Sequence, residues 1–80
     1  MTAGGVGRVV KRSLAITGHR TSISLEDAFW TRLRAVAARR GVAVAALVGE
    51  IDAGREGANL SSAIRVFLLA DALAGGGDGD

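Results

Sequence analysis

The chain has no cysteine and one histidine, His19. The first absence excludes a disulfide staple and any thiolate metal site. The second leaves a lone imidazole in a turn, too little for a metal centre, so no cofactor is expected. Nucleophilic catalysis lacks its parts as well. Ser61 and Ser62 read as residues of a helix start, and one distant histidine does not complete a triad with them. Gly4-Gly5-Val6-Gly7 has no strand before it and no Lys-Ser/Thr in register after it, so it is no phosphate loop. The chain reads as a non-enzyme. Long apolar runs are missing too. The longest, Val42 to Val48, falls far below the roughly 20 residues a membrane helix needs. Met1 to Arg12 holds no apolar stretch behind a charged start, so no signal peptide is expected. These absences point to a cytoplasmic protein with no membrane partner.

What is present lies mostly in the middle. Residues 1–10 read as a flexible N-terminal arm, residues 11–73 as one domain, and residues 74–80 as a disordered Gly/Asp tail. About 60 residues then remain to build a core, a size at which a monomer is marginal. Yet 49% of the 80 residues are hydrophobic. The expected resolution is a second copy of the chain, with the core shared between protomers.

Charge is split along the chain. Residues 1–40 carry eight bases against Glu26 and Asp27, a balance of +6; residues 41–80 carry Arg55 and Arg65 against six acids, a balance of −4. Nine of the ten bases are arginine, the side chain suited to bidentate phosphate and guanine contacts. A basic front half suggests an anionic partner.

Arg20-Thr21-Ser22-Ile23-Ser24-Leu25 alternates polar and apolar residues, and from Glu26 the rhythm becomes helical. A period-2 run feeding a 3.6-period run predicts a strand joined to a helix without a loop. Before it, Arg12 to Thr17 is a weaker strand candidate with Leu14 and Ile16 on one face. A hairpin turning at Gly18-His19 and a basic arm that orders on binding both fit. The first helix is expected from Asp27 to Arg40, with Phe29, Leu33, Val36 and Ala37 as its apolar stripe and Gly41 ending it. Trp30 lies beside that stripe, where Arg34 could stack on it. The second helix is expected from Val44 to Ala53 on a stripe of Val44, Leu47, Val48 and Ile51. The third, helix C, should be capped by Asn59 or Ser61 and run to Leu73. It shows two stripes: Leu60, Ile64, Phe67 and Leu68, then Val66, Leu69 and Leu73. A helix apolar on most of its circumference is buried on more than one side, which again implies an interface. Arg65, among these apolar neighbours, is expected to pair with Glu50 or Asp52.

This order of strand, helix, glycine turn and helix resembles the ribbon-helix-helix family of bacterial DNA-binding proteins. The likeness is carried by Arg20 to Leu25, by Phe29, Trp30, Leu33, Val36 and Ala37, by Arg40-Gly41-Val42 at the turn, and by Leu47-Val48. From Lys11 to Leu69 the chain is also similar to a bacterial subgroup with an extra N-terminal strand and a third helix. The matching stretches are Arg20 to Trp30 and Asn59 to Phe67. The resemblance implies a mostly α fold with a short N-terminal β ribbon, an intertwined homodimer with an additional C-terminal helix. It implies that two strands pair antiparallel and enter the major groove, with Arg20, Ser22 and Ser24 facing the bases. Ile23, Leu25, Phe29, Leu33, Leu47 and Val48 would form the dimer core. In the family the start of the second helix grips a phosphate through backbone N–H groups, often with a capping Ser or Thr. Here that position is Ala43, so the amides of Val44 and Ala45 remain but the hydroxyl is gone. Arg39, Arg40, Lys11 and Arg12 are the further phosphate candidates; for Arg39 and Arg40 the other reading is compensation of the helix dipole.

Two functions follow as expectations. The leading one is a homodimeric, sequence-specific DNA-binding protein, a transcriptional regulator acting on double-stranded DNA. The alternative is a dimerisation module, antitoxin-like or adaptor, that docks a protein partner through helix C; the same helix could also join dimers into a higher oligomer.

Overall fold

The computed structural model describes residues 7–55 and 59–75. The expected arm therefore lies outside the described residues up to residue 6, and the expected tail from residue 76. The order of elements is β1 (Val9–Ile16), β2 (His19–Glu26), α1 (Asp27–Arg40), α2 (Val44–Gly54) and α3 (Leu60–Leu73). The strands form a two-stranded antiparallel sheet. Of the two possibilities for the segment before Arg20, the hairpin is the one adopted, and it starts at Val9, two residues ahead of the expected domain boundary.

The hairpin turns on Thr17 (φ 50°) and Gly18 (φ 86°). Positive φ at both central positions defines a type I′ turn, whose twist matches that of the strands it joins. The turn is thus one residue earlier than Gly18-His19, and His19 opens β2 instead. Glycine carries the second position without a Cβ penalty, whereas a β-branched threonine sits uncomfortably at the first.

Alternation in β2 is regular. Ile23 and Leu25 are buried and Thr21 half-buried, while Arg20, Ser22 and Ser24 are exposed. The strand runs directly into α1, and the Asp27 N–H donates to the Arg8 carbonyl (2.6 Å). That bond satisfies one of the donors every helix start leaves unpaired. In α1 the buried residues are Trp30, Leu33, Val36 and Ala37. Phe29, expected in the stripe, is only partly buried, and Trp30 takes its place. The reason is polar as well as steric, since the indole Nε1–H donates to the Val10 carbonyl (2.8 Å). A tryptophan can be buried fully where its N–H finds such a partner. The stacking cation is Arg12, 5.6 Å from the ring centroid, rather than Arg34; β1 carries Arg12 onto the Trp30 side.

Gly41 (φ 71°) ends α1 as expected. Its N–H donates to Ala38 O (3.1 Å) and that of Val42 to Ala37 O (3.0 Å), the paired bonds of a Schellman motif. Leu47 and Val48 are the buried residues of α2. Asn59, not Ser61, caps α3: its Oδ1 accepts from the Ser62 N–H (3.0 Å). Ile64 and Leu68 of α3 enter the core.

The core is one cluster of Ile16, Ile23, Leu25, Trp30, Leu33, Val36, Ala37, Leu47, Val48, Ile64 and Leu68. Each such aliphatic side chain contributes roughly 1.5–3 kcal/mol by leaving water. Five of the six residues expected at the dimer core, Ile23, Leu25, Leu33, Leu47 and Val48, are thus buried by their own chain. A second copy is not needed to cover them.

Candidate nucleic-acid interface

Register decides what the sheet shows to solvent. Lys11 lies opposite Ser24, Ser13 opposite Ser22, and Ala15 opposite Arg20. Cross-strand partners share a face, so the outer face is built from Lys11, Ser13, Ala15, Arg20, Ser22 and Ser24. All six are exposed. The Arg20 guanidinium donates weakly to the Ser13 hydroxyl (3.4 Å), which bends it across the ribbon. These six residues carry two cations and three hydroxyls; the next pair in the same phase, Val9–Glu26, ends the ribbon with a half-buried acid whose carboxylate meets Arg65 (3.6 Å). The spine of the face from Arg20 to Ser24 spans roughly 13 Å, about four base pairs.

The expected base-facing residues Arg20, Ser22 and Ser24 are therefore brought together on one surface. Sequence reasoning missed Ser13 as a fourth member. The signal was present, since Lys11, Ser13 and Ala15 are small or polar at period 2. It was masked by Arg12, which occupies an inward position between Val10 and Leu14 and is legible as such only once Trp30 lies beneath it. Lys11 and Arg12, both expected at phosphates, end on opposite faces.

Hydrogen-bond parity adds a second property. Ile16 and His19 flank the two-residue turn and form a bonded pair. Leu14–Thr21, Arg12–Ile23 and Val10–Leu25 follow in the same phase. The N–H and C=O groups of Arg20, Ser22 and Ser24 consequently point away from β1, to the outer edge of β2. There the Ser24 carbonyl accepts from the Ser61 hydroxyl (2.9 Å) at the start of α3.

At the start of α2, Ala43 is the N-cap with no side-chain hydrogen bond, and the first turn holds no acid. The Val44 and Ala45 amides precede the first intrahelical donor, Leu47, which bonds the Ala43 carbonyl (3.1 Å). Arg39 and Arg40 are differently engaged. Arg39 meets Asp71 at 2.7 Å and Arg32 meets the same carboxylate at 3.3 Å. Arg40 lies 3.8 Å from Glu50 and 5.2 Å from the Phe67 ring centroid. Both therefore tie α1 to its neighbouring helices. Arg65 pairs with Glu26 (3.6 Å), not with Glu50 or Asp52, because α3 runs past the end of β2. The Glu26 Oε1 is shielded from water and has this ion pair but no hydrogen bond.

Among the described residues no cluster of His, Cys, Asp or Glu could hold a metal, and no helix is long and apolar enough to cross a membrane.

A two-stranded ribbon backed by three helices, with a basic and hydroxyl-bearing outer face, defines a class of small DNA-binding domains. The model of the ribbon-helix-helix domain matches residues 9–72, and the chain belongs to that family. It is a non-enzymatic fold of DNA-binding regulators that typically dimerise. Among solved structures, an uncharacterized protein from Bordetella pertussis Tohama I is similar, with 31% sequence identity and a TM-score of 0.78. The alignment covers 94% of this chain and 64% of that one, so the chain spans just under two thirds of its relative's length. No curated protein matches.

Proposed function

We propose that the chain acts as a homodimer that binds specific double-stranded DNA sequences and regulates transcription, with the outer face of its ribbon in the major groove. The observation that carries this reading is the register that sets Arg20, Ser22 and Ser24 beside Lys11 and Ser13 on one exposed surface, with the one acid in phase, Glu26, engaged by Arg65. Arg20 matches guanine O6 and N7 together, and the serines, able to donate or accept, discriminate less.

Antiparallel pairing of β2 with its twin satisfies the outward N–H and C=O groups of Arg20, Ser22 and Ser24. Centred on Ser22, it sets Arg20 opposite the partner's Ser24. The resulting sheet is four strands and about 14 Å wide between outer strands, against a groove about 12 Å across. The β2 pair then fills the groove while β1 lies over its walls, where Lys11 meets phosphate. The bare start of α2 adds the backbone amides of Val44 and Ala45 to the phosphate contacts; Arg39 and Arg40 reach phosphate only by leaving Asp71 and Glu50.

Selection from a random-sequence duplex library, followed by titration of the enriched site at two salt concentrations, tests the proposal. Enrichment of a two-fold symmetric site is expected. Binding that stays equal for enriched and scrambled duplexes would remove the regulator reading.

A further inference from the structure

Among the described residues four large apolar side chains are left in water; one, Val9, lies on β1, and the other three share one helix face. Val66 (65% exposed), Leu69 (58%) and Leu73 (78%) lie on α3 at i, i+3 and i+7, which makes them one ridge. An apolar hollow flanks the ridge on each side. One of about 500 Å³ lies between α2 and α3, against Ile51, Ala63 and Phe67; the other, about 530 Å³, lies between α1 and α3, against Ala28, Phe29 and Ala72. Val66 borders both.

From this we infer that the ridge of α3 is where the second copy of the chain docks, α3 packing antiparallel on its twin about a two-fold axis. The inference rests on the homodimer reading and locates its helical contact. Three observations select a second copy over a different protein. First, the surface suits self-pairing: an apolar ridge beside an apolar hollow, turned by a two-fold axis, sets each ridge against the other's hollow. Second, the face offers no uncompensated charge for an unlike partner to read. Arg65 is held by Glu26, and Asp71 by Arg32 and Arg39. Burying paired charges beside an apolar ridge avoids the penalty of an unpaired one.

Third, the ridge continues an edge that also lacks a partner. Ser61, one turn before Arg65, bonds the outward Ser24 carbonyl of β2, so α3 starts at the open edge of the ribbon. A two-fold axis beside that edge covers strand and helix together. Neither feature suffices by itself: three side chains fall well short of the roughly 800 Å² per partner of a stable interface, and a lone strand edge is narrower still. Their combination also explains how the chain can bury Ile23, Leu25, Leu33, Leu47 and Val48 alone and still dimerise. The residues that remain for the partner are those of α3 and the partly buried Phe29.

The test combines sedimentation equilibrium with circular dichroism on the full chain and on L69E and the double variant L69E/L73E. Both leucines are exposed in the single chain, so the helical signal should be kept. The expected result is a dimer for the parent chain, and a dissociation constant raised at least about 30-fold in L69E, the scale of an interface hot spot. Because the chain has no native cysteine, L69C with a short bis-maleimide gives an independent reading. A covalent dimer should form for L69C and not for A38C, a site exposed on α1. A parent chain that is monomeric at the highest concentration would overturn the homodimer reading itself. A dimer that persists in L69E/L73E, or L69C that fails to cross-link within a dimer, would overturn only the placement on α3. The ridge would then be open to a different protein.

Discussion

Single side chains divide into those that hold the fold and those that face outward, and the division predicts what each substitution does. Arg20 is exposed at the turn end of the ribbon face and only weakly tied to Ser13. R20A should leave thermal stability near that of the parent while losing about 1–3 kcal/mol of discrimination at one base position in each half-site, read by anisotropy against single-base variants. Lys11 should behave differently: K11A is expected to weaken all sequences alike and to lower the salt slope by about 1. Leu33 lies at the opposite extreme, 0% exposed and surrounded by core. L33A should cost about 2–5 kcal/mol in urea unfolding, because deletion removes transfer energy and leaves a cavity.

At the scale of elements, two joints set the geometry. The β2–α1 junction has no loop, so the phase of the strand alternation fixes which helix face meets the sheet. That much was readable from residues 20–40. The hairpin joint was less so. Arg12 breaks the apolar alternation of β1, and Thr17 is an unusual residue for a left-handed position, so neither strand nor turn stood out. Trp30 resolves the first point by receiving Arg12 on its ring. The second yields a prediction: T17N places the residue that type I′ turns favour at φ 50°. It should raise stability on the order of 1 kcal/mol, measured as a shift of the denaturant midpoint at constant slope. The third helix shows the same limit from another side. Its two apolar stripes were plain and implied burial on more than one side, hence an interface, but not which stripe enters the core. Only packing showed that Ile64 and Leu68 take up the core and leave Val66, Leu69 and Leu73 outside.

For the whole molecule, the basic front half and acidic back half acquire distinct uses. Lys11 and Arg20 line the ribbon face, whereas Arg32, Arg39 and Arg40 meet Asp71 and Glu50 across helix contacts. Part of the +6 is thus spent inside the fold, and fewer bases are left for an anionic partner than the sum suggests. If a dimer neutralises eight phosphates, log K against log[salt] should fall with a slope of about −7. A slope near zero would show that the ribbon makes no backbone contacts.

Local patterning was enough to determine the strand alternation of 20–25, the three helices, the glycine stop at Gly41 and the family to which the chain belongs. Those features depend on period, capping and φ, which neighbours in sequence control. Tertiary structure alone decided four things: that β1 completes a ribbon within one chain, that Trp30 displaces Phe29 from the core, that Arg65 pairs with Glu26, and that Ser13 joins the outer face of the ribbon. Each depends on which residues distant in sequence meet across the sheet or between helices. That is set by packing and hydrogen-bond satisfaction, not by any pattern along the chain.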